Sequence, residues 1–415
     1  MDIFFMRHIA GIIMIMLSVL ACRADGITVE LLTVGPGEQF FQVHGHAALR
    51  VTSEGSDSVY SFETDPGRPA VVQYLAGNHG SIVAESASKF LDSIGSTGRG
   101  IKAYTLNLSP SEADSLAMML RSSNGRQESR FNIRSANCTT QLFDLIDSVV
   151  APSRISPGQS PVYELPAARF YTDTLRENAP WVSALITVAL GSASDDTVTA
   201  ARSISPLLFD DQYRHFTIMP EGRPFVARAR EIHRRSVNIT PAAVTPVDLA
   251  IALAAILLIA TVLSVRGIKP EITATLDRIS FGVIFIVGAL IAFATFTPYS
   301  VGNGGSWSLT VLNPLIIVLP ALRRHATALR IITAAWSAWL LIFAIFGPTF
   351  TAESLAAVRI ISAALAIRIA TYRGERGDGV HDCVHKFANS GNKLYLCVKK
   401  KGRRYGSTVS KRLSQ

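Results

Sequence analysis

Cysteine is scarce in this sequence, and no spacing gives it a structural task. There are four in 415 residues. None stands in a CxxC pair and no HExxH run occurs, so no familiar zinc-site spacing is present, and no metal or other cofactor is expected. Charge is thin as well: 17% Asp, Glu, Lys and Arg against 48% hydrophobic residues. With a mean hydropathy of +0.29 the chain is too apolar for one soluble globule. No internal repeat appears, which removes repeat architectures. Histidine is sparse outside the termini, and only His44, His46, His79, His215 and His233 fall between residues 25 and 245.

The apolar residues concentrate at the N-terminus and again after residue 246. "MDIFFMRHIAGIIMIMLSVLACRADG" runs from a basic residue through an apolar stretch to small residues, the pattern of a secretory signal over residues 1–24. "VLAC" resembles a bacterial lipobox with Cys22 as acceptor; an uncleaved anchor is the alternative, though the run is short for a span. Five apolar stretches follow the polar middle, at residues 247–265, 281–297, 307–322, 331–346 and 355–371. Each approaches the length that crosses a bilayer. The third is short and holds Pro314 and Pro320. The fifth contains Arg359 and Arg368, which are expected to snorkel to opposite interfaces.

The loops alternate as five spans require. "RGIKPEITATLDR" and "RRHATALR" are basic, whereas "TPYSVGNGGS" is uncharged and "GPTFTAES" carries one acid. The tail after Tyr372 holds a net charge of roughly +8. A basic tail directly after apolar spans marks the cytoplasmic side of a membrane and not a nucleic-acid surface. Residues 25–245 then lie outside, as the signal segment independently requires. The expected organisation is a domain over 25–160, an extension over 161–245, membrane helices over 246–372 and a poorly ordered basic tail over 373–415.

The outer domain reads as α+β. "ITVELLTVGP", "HAALRVTS", "SVYSFET" and "GIKAYTLNLS" have strand composition, with "SEGSDS" turning a hairpin. "LSPSEADSLAMMLRSS" begins with Ser109 and Glu112 in capping-box register. "PWVSALITVALGSASDD" fits an apolar helix or strand. In "SANCTTQLFDLI", Asn137 can cap a helix whose first turn carries Cys138 and whose apolar face is Leu142, Phe143, Leu145 and Ile146. The exposed N–H groups and macrodipole of a helix start favour a thiolate there.

Cys138 is alone in the extracytoplasmic part, because Cys383 and Cys397 fall in the tail. An unpaired cysteine in that compartment is either a reactive thiol or a buried inert one. A nucleophilic thiol needs a base. "VHGHAALRV" places His44 and His46 at the start of a strand, where alternation puts both on one face and within reach of a helix N-terminus.

The run from "VELLTVGPGEQFFQVHGHAALRV" through "SVYSF", "STGRG", "LNLSPSEADSL" and "SANCTTQLFDL" resembles the N-terminal periplasmic domain of Lnb-type lipoprotein N-acyltransferases, over roughly residues 28–150. "PWVSALITVALGSASDD" and "WSLTVLNPL" look like the continuation in Bacteroidetes-type members. The most specific signal is Gly-His before an apolar strand with Asn-Cys-Thr-Thr much later. The resemblance implies a permuted NlpC/P60 papain-like domain followed by a membrane bundle, with Cys138 as nucleophile and His46 as base. Asn137, Tyr60, Arg99 and His44 are the auxiliary candidates; of these, Tyr60 and Arg99 match recurrent family positions. Three positions depart from the pattern: His44 stands where an aromatic is usual, Glu63 replaces a glycine, and Ala136 stands where an acid often precedes Asn-Cys.

The implied reaction is acyl transfer through a Cys138 thioester, from a lipoprotein's diacylglyceryl ester to its N-terminal cysteine amine. His46 takes the thiol proton and later that of the amine, and N–H groups of the helix start hold the oxyanion. The implied partners are diacylated lipoproteins and membrane lipid, at a bacterial inner membrane. The rival readings are a cell-wall cysteine peptidase or amidase using the same pair, and an inactive membrane scaffold.

Overall fold

The computed structural model describes residues 26–39, 42–64, 78–125, 129–132, 135–151, 153–156, 165–166, 179–198, 212–236, 240, 242–296, 305–351 and 355–372. The signal segment, Cys22, Cys383, Cys397 and the basic tail lie outside the described residues.

The four expected strands form as β1 (Thr28–Val34), β2 (His46–Ser53), β3 (Ser56–Thr64) and, after β4 (His79–Ser86), β5 (Ile101–Leu106). Their β-branched and aromatic residues cover a pleated surface buried on both sides. With β6 (Ser129–Arg130) and, from the later chain, β10 (Val226–His233), they make a seven-stranded sheet, in the order β10-β5-β1-β2-β3-β4-β6. The strands β7 (Arg154–Ser156), β8 (Thr217–Met219) and β9 (Arg223–Pro224) form a separate three-stranded sheet. The first hairpin turns at Glu54 and Gly55 and pairs Ser53 with Ser56. That register runs back to Ala48 opposite Ser61.

Helices cover both faces of the sheet. On one side α1 (Ala87–Ser96) buries Ala87 and Phe90 against Leu32, Val34, Ala48 and Ala103. The other side receives α2 (Pro110–Ser123) and α3 (Cys138–Val150), which bury Leu116, Leu120, Leu142, Phe143 and Ile146 against Leu31, Leu49 and Tyr104. Burying each such large side chain contributes about 1.5–3 kcal/mol. Ser109 and Glu112 close the expected capping box on α2.

The apolar stretch after Ala179 resolves to a helix, α4 (Pro180–Leu190). Val182, Ile186 and Leu190 recur every fourth residue and enter the core of the sheet domain, while Val188 packs on the membrane bundle. One short helix therefore closes two cores. Nearby, Ser192 N–H donates to the Gly305 carbonyl at 3.0 Å, and the Thr351 hydroxyl donates to Asp195 at 2.9 Å.

Among the described residues three helices are long and apolar enough to cross a membrane: α5 (Pro246–Val265), α6 (Pro270–Phe296) and the first 24 residues of α7 (Ala326–Phe350). A fourth, α8 (Ala356–Ala370), is apolar but has 15 residues. The third expected span is not one helix. It breaks into a helical turn at Ser308–Val311 and tight 3-10 turns at Pro314–Val318 and Ala321–Arg324, because Pro314 and Pro320 each withhold an N–H from a continuous ladder. Gly288 of α6 admits this segment: a Cβ there would lie 2.1 Å from the Leu312 carbonyl oxygen. The snorkelling expected of the fifth segment is also corrected. Arg368 is 2% exposed and forms a bidentate pair with Asp277 of α6, at 2.7 and 2.5 Å. Arg359 donates to the Ala344 carbonyl at 3.0 Å. Inside an apolar bundle a guanidinium needs an acceptor, and Asp277 and the Ala344 carbonyl supply one to each arginine.

Candidate active site

The chain ends of β1, β3 and the starts of β2 and β5 gather at one edge of the sheet, since all four are antiparallel neighbours. His46 is the first residue of β2, paired with Val34, and Cys138 is the first residue of α3. Extending the β2–β3 register two residues past Ala48 and Ser61 sets Glu63 opposite His46. A Glu63 carboxylate oxygen lies 3.2 Å from His46 Nε2. It forms an ion pair rather than an aligned hydrogen bond. Ser61 donates to that same oxygen at 2.7 Å.

The Cys138 side chain is within hydrogen-bonding reach of the His46 ring. Burial alone disfavours an imidazolium, but the Glu63 charge and the bond to Cys138 outweigh it and raise His46 to about 10. Burial likewise pushes the Cys138 thiol up. The His46 hydrogen bond and charge, with the Ala47 backbone, outweigh it and hold the thiol below its ordinary range. Glu63 follows the same pattern: desolvation raises it, and His46 together with Ser61 brings it lower than usual. The three groups thus favour one another's charged forms: an imidazolium between a sulfur whose thiolate it stabilises and a carboxylate at Nε2.

His44 differs. The left-handed Gly45, with φ of +77°, turns the chain between the two histidines. His44 therefore ends a 3-10 turn and does not share a strand face with His46, as alternation alone suggests. It is 3% exposed, and burial lowers it to about 3, so it is neutral. Two histidines two residues apart thus hold opposite protonation states.

Asn137 caps α3 as expected, and its side-chain oxygen accepts from the N–H groups of Thr139 at 2.9 Å and Thr140 at 3.0 Å. Two N–H groups of the first turn are thereby occupied, which narrows the helix-start donors expected for an oxyanion to the Cys138 N–H. Tyr60 belongs to the apolar cluster against which Cys138 packs, between Leu49 and Ala84 on the register, and its place is one of packing. Arg99 is 4% exposed and donates through Nε to the Gly35 carbonyl at 2.8 Å. Desolvation lowers it to about 10, while the Cys138 and Glu63 charges act to raise it. The sheet edge therefore brings Cys138, His46, Glu63 and Arg99 into one electrostatic cluster, with Asn137 at its base. Among the described residues no group of three His, Cys, Asp or Glu side chains could hold a metal ion.

Residues 21–174 match the family model described as the Lnb N-terminal periplasmic domain. The match covers the whole cluster and ends before the membrane helices. Neither the curated proteins nor the solved structures contain a match to the chain. With three membrane-capable helices among the described residues behind that region, this is a membrane protein with a periplasmic N-terminal domain, over which residues 21–174 match the Lnb family model.

Proposed function

We propose that the protein is a lipoprotein N-acyltransferase of the inner membrane, working through a Cys138 thioester. The observation that carries this is the thiol at a helix start beside an imidazole held by a carboxylate. In the first half-reaction the Cys138 sulfur attacks the ester carbonyl of a lipoprotein's diacylglyceryl group. The S–C bond forms, the C–O bond breaks, and the departing alkoxide takes the His46 proton. In the second, neutral His46 takes a proton as the cysteine amine attacks. The N–C bond forms, and the sulfur leaves as thiolate.

His46, raised to about 10, enters the cycle protonated and acts as an acid first and a base second. Glu63, at Nε2 of the ring, fills the role of third group. The domain reads as papain-like and permuted, with histidine preceding cysteine, and the tail as cytoplasmic. The membrane helices support a lipid substrate over a soluble wall peptide. Because α4 belongs to both cores, the cysteine domain is docked on the bundle and not merely tethered to it.

The test is mass spectrometry of lipoprotein N-termini from cells with the wild-type chain, without it, and with Cys138→Ala. N-acylated termini are expected only with the wild type. Identical termini in all three cells refute the reading, and cleavage of wall peptides by the purified wild type would favour the peptidase.

A further inference from the structure

The covered N-terminus of α3 leaves the site short of anion donors. Asn137 takes the Thr139 and Thr140 N–H groups, and the Ala47 backbone bonds to the Cys138 sulfur. That leaves the Cys138 N–H from the first turn, where acyl transfer ordinarily uses two donors. A second donor stands at the same sheet edge. Arg99 is buried, its Nε is fixed on Gly35, and its Nη2 has no hydrogen-bond partner. A buried guanidinium N–H without an acceptor costs free energy unless a ligand supplies one.

The chain is shaped around this side chain. β1 leads into Gly35, whose N–H donates to Gly100 at 2.7 Å, which ties the loop beside Arg99. At Gly37 an added Cβ would fall 3.1 Å from Arg99 Cδ and 2.4 Å from Gln42 Oε1. Gly37 thus leaves room for the guanidinium stem where a side chain of its own would crowd it.

We infer that Arg99 Nη2 is the second oxyanion donor, holding the carbonyl oxygen of the acyl group while sulfur is bonded to its carbon. The ligand is the tetrahedral adduct of a carboxylic ester. The sulfur's electron pair forms the S–C bond, the carbonyl π pair moves to oxygen, and Nη2–H donates to that oxygen until the leaving group departs. The assignment rests on the reading that Cys138 is acylated, but not on which lipid or amine takes part.

The test uses the full chain in detergent and p-nitrophenyl butyrate, whose leaving group needs no proton from His46. The acylation burst is compared with alkylation of Cys138 by iodoacetamide at pH 9, a displacement with no oxyanion, read on the Cys138 peptide. Arg99→Gln is expected to slow the burst about 100- to 1000-fold and leave alkylation within about threefold. Gly37→Ala, which keeps the arginine but displaces its stem, should slow the burst at least about tenfold with alkylation again unchanged. Parallel loss of both rates with a lowered melting temperature, an undiminished burst in Arg99→Gln, or no burst in a wild type that is alkylated, would each overturn the assignment. The acyltransferase reading fails separately, if the burst behaves as expected and lipoprotein N-termini stay unacylated.

Discussion

Replacing Glu63 by Gln removes one charge from a three-group relay and leaves its shape. At 3.2 Å two unit charges attract by ~5 kcal/mol at an effective dielectric of 20 and by ~1.3 kcal/mol in bulk water. The Glu63 side chain is 51% exposed, so solvent screens much of the interaction. About 2 kcal/mol is a reasonable centre, equivalent to about 1.5 pKa units on His46. The sign follows from which form the charge favours. Glu63 stabilises the imidazolium, and His46 is raised to about 10. Without it the imidazolium loses its proton at lower pH. Acylation by an alkyl ester needs that proton for the leaving alkoxide, so the alkaline limb of the rate profile should move from near pH 10 to about pH 8.5. At pH 10 the variant should be slower by about 15-fold. The acid limb, which reports thiolate formation while His46 is still charged, should not move upward. The assay is acyl-enzyme formation from tributyrin, followed by the mass of the Cys138 peptide across pH 5–11. An alkaline limb that stays near pH 10 in Glu63→Gln would refute the coupling.

Two further outcomes follow from packing. Asn137→Ala strips the cap from α3 and should cost about 1 kcal/mol of stability, seen as a lower melting temperature of the purified protein. Asp277→Ala leaves Arg368 charged and unpaired inside the bundle and should destabilise it by about 3–5 kcal/mol in detergent unfolding. The double change Asp277→Leu with Arg368→Leu should recover most of that loss.

The strands and the capped helices were legible because each rests on local chemistry, alternation and N-cap residues, whereas the choice of His46 as the partner of Cys138 came from the family resemblance. Glu63 was read only as a departure from the family's glycine, and its place beside His46 was not read. The signal that places it was present in "SEGSDS". A two-residue turn at Glu54 and Gly55 fixes the register, and counting back along both strands sets His46 opposite Glu63. The fate of His44 was hidden because alternation assumes a continuous strand, and Gly45 interrupts it. Arg368 was misread because hydropathy sees one helix at a time, whereas its partner Asp277 lies 91 residues away on another. Arg99 is a similar case. Its neighbours come from the loop after β1, from β3 and from α3, and only the assembled sheet edge brings them around its guanidinium.

The account stands most directly on the covalent state of one sulfur. Purified wild-type chain incubated with a diacylated lipopeptide and quenched in acid should yield a Cys138 peptide heavier by one acyl chain. That mass should vanish with hydroxylamine and be missing in His46→Ala. A Cys138 peptide that stays unmodified while the lipopeptide amine still becomes acylated would contradict it.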